Sequence, residues 1–379
     1  MNSLIYFDNA ATSWPKPKSV IKAISASFGE SGGNPGRSYH PLSLGAAKAV
    51  YSCRETLCSL FGCVNPENVV FAYNTTHALN MAIKGLAQKN SHMLISNLEH
   101  NSVIRPVHAL CADASNNMSY DVFDARGTKE EILKSFEQKI RPETKLAAVT
   151  MASNVCGKIL PVGKISEICR KHGIKLIVDC AQSAGCVPFD FASLGADVLC
   201  GAGHKSLYGP QGVGFCIFAD GLEPRAVIEG GNGVNSASPE MDGPLPERLE
   251  AGTMGTPAIC GLEAGVKYVV DRGVSEIYER GLYLADYLCD GLKQIDGIEI
   301  YGECDNRTPC VLFNKSGVKS EKVAAFLADE GICVRSGLHC APLAHKAFGT
   351  EQSGAVRVSM SVSNKPWEID KFLLRINSM

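Results

Sequence analysis

Short apolar runs alternate with stretches whose apolar positions recur every three or four residues through most of the chain. SLGAAKAVYSCRETLCSLFG (43–62) carries the helical spacing, NVVFAYN (68–74) reads as a strand, and HALNMAIKGLAQ (77–88) as the helix after it. HMLISN (92–97) and KLAAVTMASN (145–154) are further strand-like runs. Pro161 and Gly163 lead into a helix, KISEICRKHG (164–173), and IKLIVDC (174–180) follows as a strand. ADVLC (196–200) and GVGFCIF (212–218) complete the series. This rhythm predicts an α/β fold, a mostly parallel sheet with helices on both faces.

The pattern changes towards the C-terminus. Residues 229–257 are rich in Gly, Pro and Ser and read as a long loop bordering a site, with a connecting helix over 258–272. Beyond it a helix near 274–295, strands IEIYG (298–302) and PCVLFN (309–314), helix SEKVAAFLADEG (320–331), strand GAVRVSMSV (354–362) and a last helix from Trp367 describe a small α+β lobe. The division expected is a large domain over 15–257 and a small one over 273–379 that also takes in residues 1–14.

Composition narrows the function classes. The 379 residues are 45% hydrophobic and 20% charged, with a net charge of −2, so no basic surface argues for nucleic acid or an anionic membrane. No run approaches a membrane span, and the first residues lack a basic stretch followed by an apolar one, so a cytoplasmic protein is expected. None of the sixteen cysteines forms a Cys-x-x-Cys pair, so reduced thiols and no metal site are expected.

The chemistry concentrates at the ends of the apolar strands. Lys205 sits in GAGHKSLYGPQGVG (201–214), a Gly- and Pro-rich turn between two strands, with His204 before it. A lysine so placed suits a Schiff base with an aldehyde cofactor. Upstream, LIVDCAQ (176–182) ends a strand in Asp179, a carboxylate that costs free energy there without a partner. An amine for the aldehyde carbon and a carboxylate for a protonated ring nitrogen together point to pyridoxal 5'-phosphate. Thr75 and Thr76 stand at the turn into a helix, an anion site for the phosphate or an ordinary N-cap. His100 suits stacking on the cofactor face, and Gln182 the ring hydroxyl.

The small lobe offers the substrate end. VRSGLHCAP (334–342) holds Arg335, His339 and Cys340, and its Gly and Pro argue for a loop. Arg335 and His339 are placed to stabilise a Cys340 thiolate. Arg357 in GAVRVS is a candidate for a two-pronged grip on an α-carboxylate. Taken from this lobe alone, it reads more simply as a strand arginine on a solvated face.

YFDNAATSWPKP (6–17), GNPGRSYH (33–40), EHNS, MASNVCG, VDCAQSAG, GHKSLYGPQGVG, LEAGTMGTP and RSGLHCAP resemble, nearly end to end, the class V aminotransferases of fold type I, and within them the cysteine desulfurases. The Arg-x-Gly-x-His-Cys run is similar to that of group II desulfurases and selenocysteine lyases. The resemblance implies a seven-stranded sheet in the large domain and pyridoxal phosphate on Lys205. It implies Asp179 and Gln182 on the pyridine ring, His100 stacked on it, and Thr75, Thr76, His77 and His204 around the phosphate. Thr256 is similar to a residue donated to the other subunit's phosphate, which implies a homodimer. Asn154 and Arg357 would hold the substrate carboxylate, with Asn9, Ala10, His40 and Arg335 near the substrate. Ala202 stands where relatives carry a phosphate-binding Ser or Thr, and Leu338 where many group II members have a second His.

The activity this implies is conversion of L-cysteine to L-alanine with a persulfide on Cys340, passed on to a protein sulfur acceptor. L-Selenocysteine as substrate uses the same residues. A transaminase or epimerase needs Lys205 and Arg357 but not Cys340, and a cofactor-binding scaffold would need no turnover.

Overall fold

The computed structural model describes residues 4–30, 32–36, 38–234 and 236–379. Arg37 of the GNPGRSYH motif lies outside them. In chain order the first elements are β1 (Ile5–Tyr6), α1 (Lys18–Glu30), α2 (Pro41–Phe61), β2 (Val69–Ala72), α3 (Thr75–Leu86), β3 (His92–Ser96), α4 (Asn101–Ala112), β4 (Ser119–Phe123), α5 (Lys129–Glu137) and β5 (Thr144–Thr150). Next come α6 (Val162–Lys171), β6 (Lys175–Asp179), α7 (Phe191–Leu194), β7 (Val198–Ala202) and β8 (Gly214–Phe218). The chain then runs through α8 (Thr256–Arg272), α9 (Val274–Lys293), β9 (Ile298–Tyr301), β10 (Cys310–Lys315), α10 (Ser320–Asp329) and β11 (Ile332–Cys333). It ends with β12 (Arg335–Gly337), α11 (Pro342–Ala347), β13 (Ala355–Ser359) and α12 (Pro366–Asn377).

Seven strands form the main sheet in the order β2-β8-β7-β6-β5-β3-β4. Only β8 runs against its neighbours; β7, β6, β5, β3 and β4 pair in parallel. The sequence explains why both faces are buried. Along β2, Val69 and Phe71 enter one core cluster, and Val70 and Ala72 the other. In β6 the same alternation puts Leu176 and Val178 on one side and Ile177 on the other. A strand whose apolar residues point to both faces, as in these two, needs helices on each face. Here α3 packs on one side, and α2, α6 and α8 cover the other.

β2 is the outer strand of the sheet, and its free edge is closed by a buried ion pair. Arg54 of α2 donates to the Val69 carbonyl and to both oxygens of Glu250, and Glu250 accepts from the Phe71 amide at 2.6 Å. Glu250 belongs to residues 219–255, which carry no helix or strand among the described residues. The long segment thus blocks an edge otherwise open to another chain.

The second sheet, β12-β13-β10-β9, is antiparallel and packs against α9, α10 and α12 around a core of its own. The N-terminal segment joins this lobe: β1 pairs with β11, and Ile5 and Phe7 enter its core. Lys18–Glu30, Ser119–Phe123 and Lys129–Glu137 are elements the periodicity above does not mark. Pro342–Ala347 is a further helix the periodicity above does not mark, and Arg335–Gly337, within the expected loop, pairs as a short strand with β13. Among the described residues no helix is long and apolar enough to cross a membrane.

Candidate active site

The site is assembled by the ends of strands. β2, β3, β5, β6 and β7 all finish on one rim of the main sheet, where ligands of such sheets gather. The turns after them present Thr75 and Thr76, His100, Asn154, Asp179 and Lys205 to one cavity of about 220 Å³. Ala10, Gln182, His204, Arg335, His339, Cys340 and Arg357 join its wall, as do Ser102 and Thr150. Residues from opposite ends of the chain, and from both sheets, therefore meet at one point.

Each group is set by local structure. Asp179 is the last residue of β6, 5% exposed, and accepts from the Ala181 amide at 2.9 Å. Burial raises its pKa above the ordinary carboxylate value. Lys205 is half-buried at the turn between β7 and β8, and desolvation pushes its ammonium down to about 8 against the pull of Asp179. His100 caps α4: its Nδ1 accepts from the Ser102 amide at 3.1 Å and lies 2.8 Å from the Ser102 hydroxyl. Nδ1 is therefore unprotonated and the ring proton sits on Nε2. Burial and the charge of Lys205 hold His100 down at about 4, so the ring is neutral. Ser102 also lies 2.7 Å from Thr76 Oγ1, an order that reads Thr76 to Ser102 to His100 as donor to acceptor.

The cavity's polar atoms are under-satisfied by the protein itself. Thr75 Oγ1, His204 Nδ1, Asn154 Oδ1 and Arg357 Nε are buried without a hydrogen-bond partner, and so is His77 Nε2 next to it. Buried polar groups are ordinarily paired. Orphans at the helix N-terminus of α3 and at His204 suit an anion. The Nε orphan of Arg357 suits a carboxylate, whereas Asn154 Oδ1 is an acceptor and suits an N–H or O–H donor, its Nδ2 being spent on the His339 carbonyl. The neighbourhood of Lys205 and Asp179 suits an aldehyde on a ring that carries a proton. The donor set thus fits pyridoxal phosphate.

Arg357 is no solvated strand arginine. It is 2% exposed in the middle of β13, with Nη1 donating to the Asn154 carbonyl and Nη2 to Asp8 at 2.7 Å. Gln182 spends Nε2 on the Ala10 carbonyl at 3.0 Å. His339 is neutral as well: burial and Arg357 push it down to about 2, so Arg335 is the only cation of the expected pair beside Cys340. Cys340 is exposed, in a turn between β12 and α11.

Four expected site residues stand outside the cavity wall of this chain. Asn9 is buried, and its amide is committed to the Tyr6 and Ser359 carbonyls and Asn364. His77 stacks on Tyr73 with ring centroids 5.4 Å apart. His40 is exposed and caps α2 by accepting from the Ser43 amide. Thr256 is buried at the first turn of α8. Ala202 ends β7 and does not line the cavity either. Asp8, Glu99, Ser102 and Thr150 are residues the motifs do not single out. Glu99 is wholly buried, accepts from Ser96 and the Thr150 amide, and is raised by burial to about 8.

Comparison with known proteins agrees with this geometry. The profile of the family described as "Aminotransferase class-V" matches residues 5–372. A protein of Mycolicibacterium paratuberculosis named "Probable cysteine desulfurase" is 32% identical over 98% of this chain, which spans only 54% of that protein's length. A "Probable cysteine desulfurase" of Synechocystis sp. is 30% identical, over 98% of this chain and 89% of its own. The solved "Apo structure of Cysteine Desulfurase from Thermococcus onnurineus NA1" superposes with a TM-score of 0.92 at 31% identity, over 100% of this chain and 94% of that one. The chain belongs to the class-V aminotransferase family.

Proposed function

We propose that this protein is a pyridoxal-phosphate-dependent cysteine desulfurase that takes sulfur from L-cysteine onto Cys340. The observation that carries the reading is a shared wall: Lys205 and Asp179, a cofactor pair, line the same cavity as an exposed cysteine. A transaminase has no use for that thiol. The names of the relatives above agree with it.

Bound pyridoxal phosphate would supply an electron sink for charge developing at the substrate α-carbon. Lys205 and Asp179 would hold its aldehyde and ring ends, with Thr75 and His204 at the phosphate. Arg357 would hold the α-carboxylate through its unpaired Nε, while Asn154, expected on the same carboxylate, offers there only the acceptor Oδ1 and would take a donor of the substrate or cofactor. Lys205, with its depressed pKa, is suited to take a proton from the α-carbon at neutral pH. His100, neutral with its proton on Nε2, would lie against the ring as a flat, uncharged support. Cys340 Sγ attacks the substrate sulfur; the S–S bond forms as Cβ–S breaks, and L-alanine leaves. The balance is thiol plus L-cysteine to persulfide plus L-alanine, with no outside oxidant. The exposure of Cys340 supports handing the sulfur to a protein acceptor. Thr256, off this chain's own cavity, supports a homodimer in which it serves the partner's phosphate. Sixteen thiols suit a reducing compartment such as the cytoplasm.

The test is release of L-alanine and sulfide from L-cysteine with a reductant, wild type beside Cys340→Ala. Equal amounts of both products from wild type, lost in the variant while the visible cofactor band stays, are expected. Full turnover by Cys340→Ala overturns the reading in favour of a transaminase or epimerase.

A further inference from the structure

Cys340 and the residue before it occupy an unusual backbone. His339 has φ 51° and Cys340 φ 56°, both in the left-handed region that residues with a Cβ avoid. Two such residues in succession are strained, and the surroundings must hold them there. Part of the hold is plain: the Asn101 amide donates to the Cys340 carbonyl at 2.7 Å, and Asn154 Nδ2 to the His339 carbonyl at 2.8 Å.

The rest lies behind the cavity wall. His339 Nδ1 is 3.0 Å from His345 Nε2, and His345 Nδ1 is 2.8 Å from Thr350 Oγ1. The two ring planes are nearly parallel, 19° apart, with centroids 5.2 Å apart. His339, His345 and Thr350 are 4%, 0% and 1% exposed. Taken from the Arg335 end, the donor and acceptor roles run in one direction, although the Thr350 hydroxyl also has the His345 carbonyl at 3.4 Å. His339 Nε2 faces the Arg335 carbonyl at 3.3 Å, an acceptor only, so Nε2 carries the proton. His339 Nδ1 must then accept, so His345 donates from Nε2; His345 Nδ1 must accept, so the Thr350 hydroxyl donates. Burial holds His345 at about 4 and His339 at about 2, so neither ring gains the second proton that would break the order. The series ends in the core at Thr350, not at solvent. That makes it a strut rather than a proton path.

Resting on the desulfurase reading, we infer that His345 and Thr350 are positioning residues: through His339 they lock the left-handed turn that aims Cys340 at the cavity and pin the backbone of Arg335. The key group is the Thr350 hydroxyl. Without it the proton of His345 is free to move to Nδ1, which turns its Nε2 into an acceptor facing the acceptor Nδ1 of His339. Relief by moving the His339 proton would leave the Arg335 carbonyl unpaired.

The test compares holoenzyme of wild type, Thr350→Val, which keeps the shape, and Thr350→Ser, which keeps the hydroxyl. Three readouts are taken: kcat and KM for L-alanine release, iodoacetamide alkylation of Cys340 followed by peptide mass spectrometry, and the denaturation midpoint. T350V is expected to lose about tenfold in kcat with KM little changed, the mark of a misplaced reacting group. Its Cys340 alkylation rate should depart from wild type by more than about threefold while the other partly exposed cysteines keep theirs. T350S should restore both. Wild-type behaviour of T350V, or T350S behaving like T350V, overturns the inference. If T350V does not fold, His345→Gln, which keeps a donor towards His339, should retain wild-type alkylation while His345→Phe does not; equal behaviour of those two overturns it as well. Absence of alanine from the wild type would sink the desulfurase reading alone, since the alkylation comparison still decides the strut.

Discussion

Asp8 Oδ1 lies 2.7 Å from Arg357 Nη2, joining the N-terminal segment to the middle of β13 across 349 residues of sequence. The pair gives a buried guanidinium an anion before any substrate arrives, and a substrate carboxylate must share Arg357 with it. Asp8→Asn keeps the acceptor and removes the charge. The expected outcome is a loss of about 1–2 kcal/mol of stability, read from the denaturation curve, since Asp8 is partly solvated. Inhibition by the product L-alanine should tighten about threefold or more, because one competing anion is gone. Weaker inhibition would mean that Asp8 acts by aiming Arg357 and not by competing for it.

Burial lowers Lys205 to about 8, and this sets the pH at which the apoprotein captures its cofactor. Only the neutral amine attacks an aldehyde. Its population grows as pH rises through the folded-state value, reaching about half at pH 8, where an ordinary lysine stays below about one in a hundred. Capture of pyridoxal phosphate, followed by the visible band in stopped flow, should rise between about pH 7 and 9 and then level off. A rate still climbing beyond pH 10 would place the amine at its ordinary value. Lys205→Arg should show no covalent capture at any pH.

Much of this was legible in the order of residues, for identifiable reasons. The main sheet is buried on both faces, so β2, β5 and β6 each carry an unbroken apolar run, VVFA, LAAV and LIV, and stand out as strands. Asp179 and Lys205 announce themselves because a carboxylate or an amine at the end of such a run is costly without a task. What stayed hidden is long-range pairing. Asp8 with Arg357, and Ser102 between Thr76 and His100, leave no periodic trace, because each partner makes sense only once the fold brings the other near. The burial of Arg357 was hidden likewise: β13 reads alike whether one face meets solvent or the large domain. His40 and His77 carry motif resemblance, yet their side chains serve a helix cap and a stack on Tyr73. Spacing cannot separate those uses from ligand binding.

Glu99 makes a pH-dependent cost that a single substitution removes. It is wholly buried and raised to about 8, with Asp179 adding to the burial effect. A carboxyl whose folded value lies above its unfolded one binds more protons in the native state. Stability is therefore present below about pH 4.5 and is lost as pH rises towards 8. Glu99→Gln keeps the acceptor for Ser96 and the Thr150 amide and carries no charge. In the apoprotein it should match wild type near pH 4.5 and exceed it by about 2–4 kcal/mol at pH 7. Urea midpoints across that range check it. A constant difference at all pH values would assign the effect to packing.

Two glycines with the same φ separate strain from contact at the lysine turn. Gly185 and Gly212 both have φ 84°. A Cβ on Gly212 meets nothing within 4 Å, whereas one on Gly185 would lie 2.6 Å from the Ser206 carbonyl and 2.9 Å from Leu207 Cδ2. Alanine in this region costs about 1–2 kcal/mol for the backbone alone. Gly212→Ala should lose that much and capture cofactor at the wild-type rate. Gly185→Ala should lose a further 1–3 kcal/mol, roughly the cost of overpacking, and should also slow capture. The atom struck belongs to the residue after Lys205, and neither Ser206 nor its neighbour Leu207 can retreat: Leu207 is buried with no exposure, and the following amide of Tyr208 is tied back to the Lys205 carbonyl at 2.8 Å. The whole turn must therefore shift, and the amine with it. Slow capture in Gly185→Ala beside normal capture in Gly212→Ala would place the cause in the position of Lys205. Equal slowing in both would place it in the flexibility of the turn.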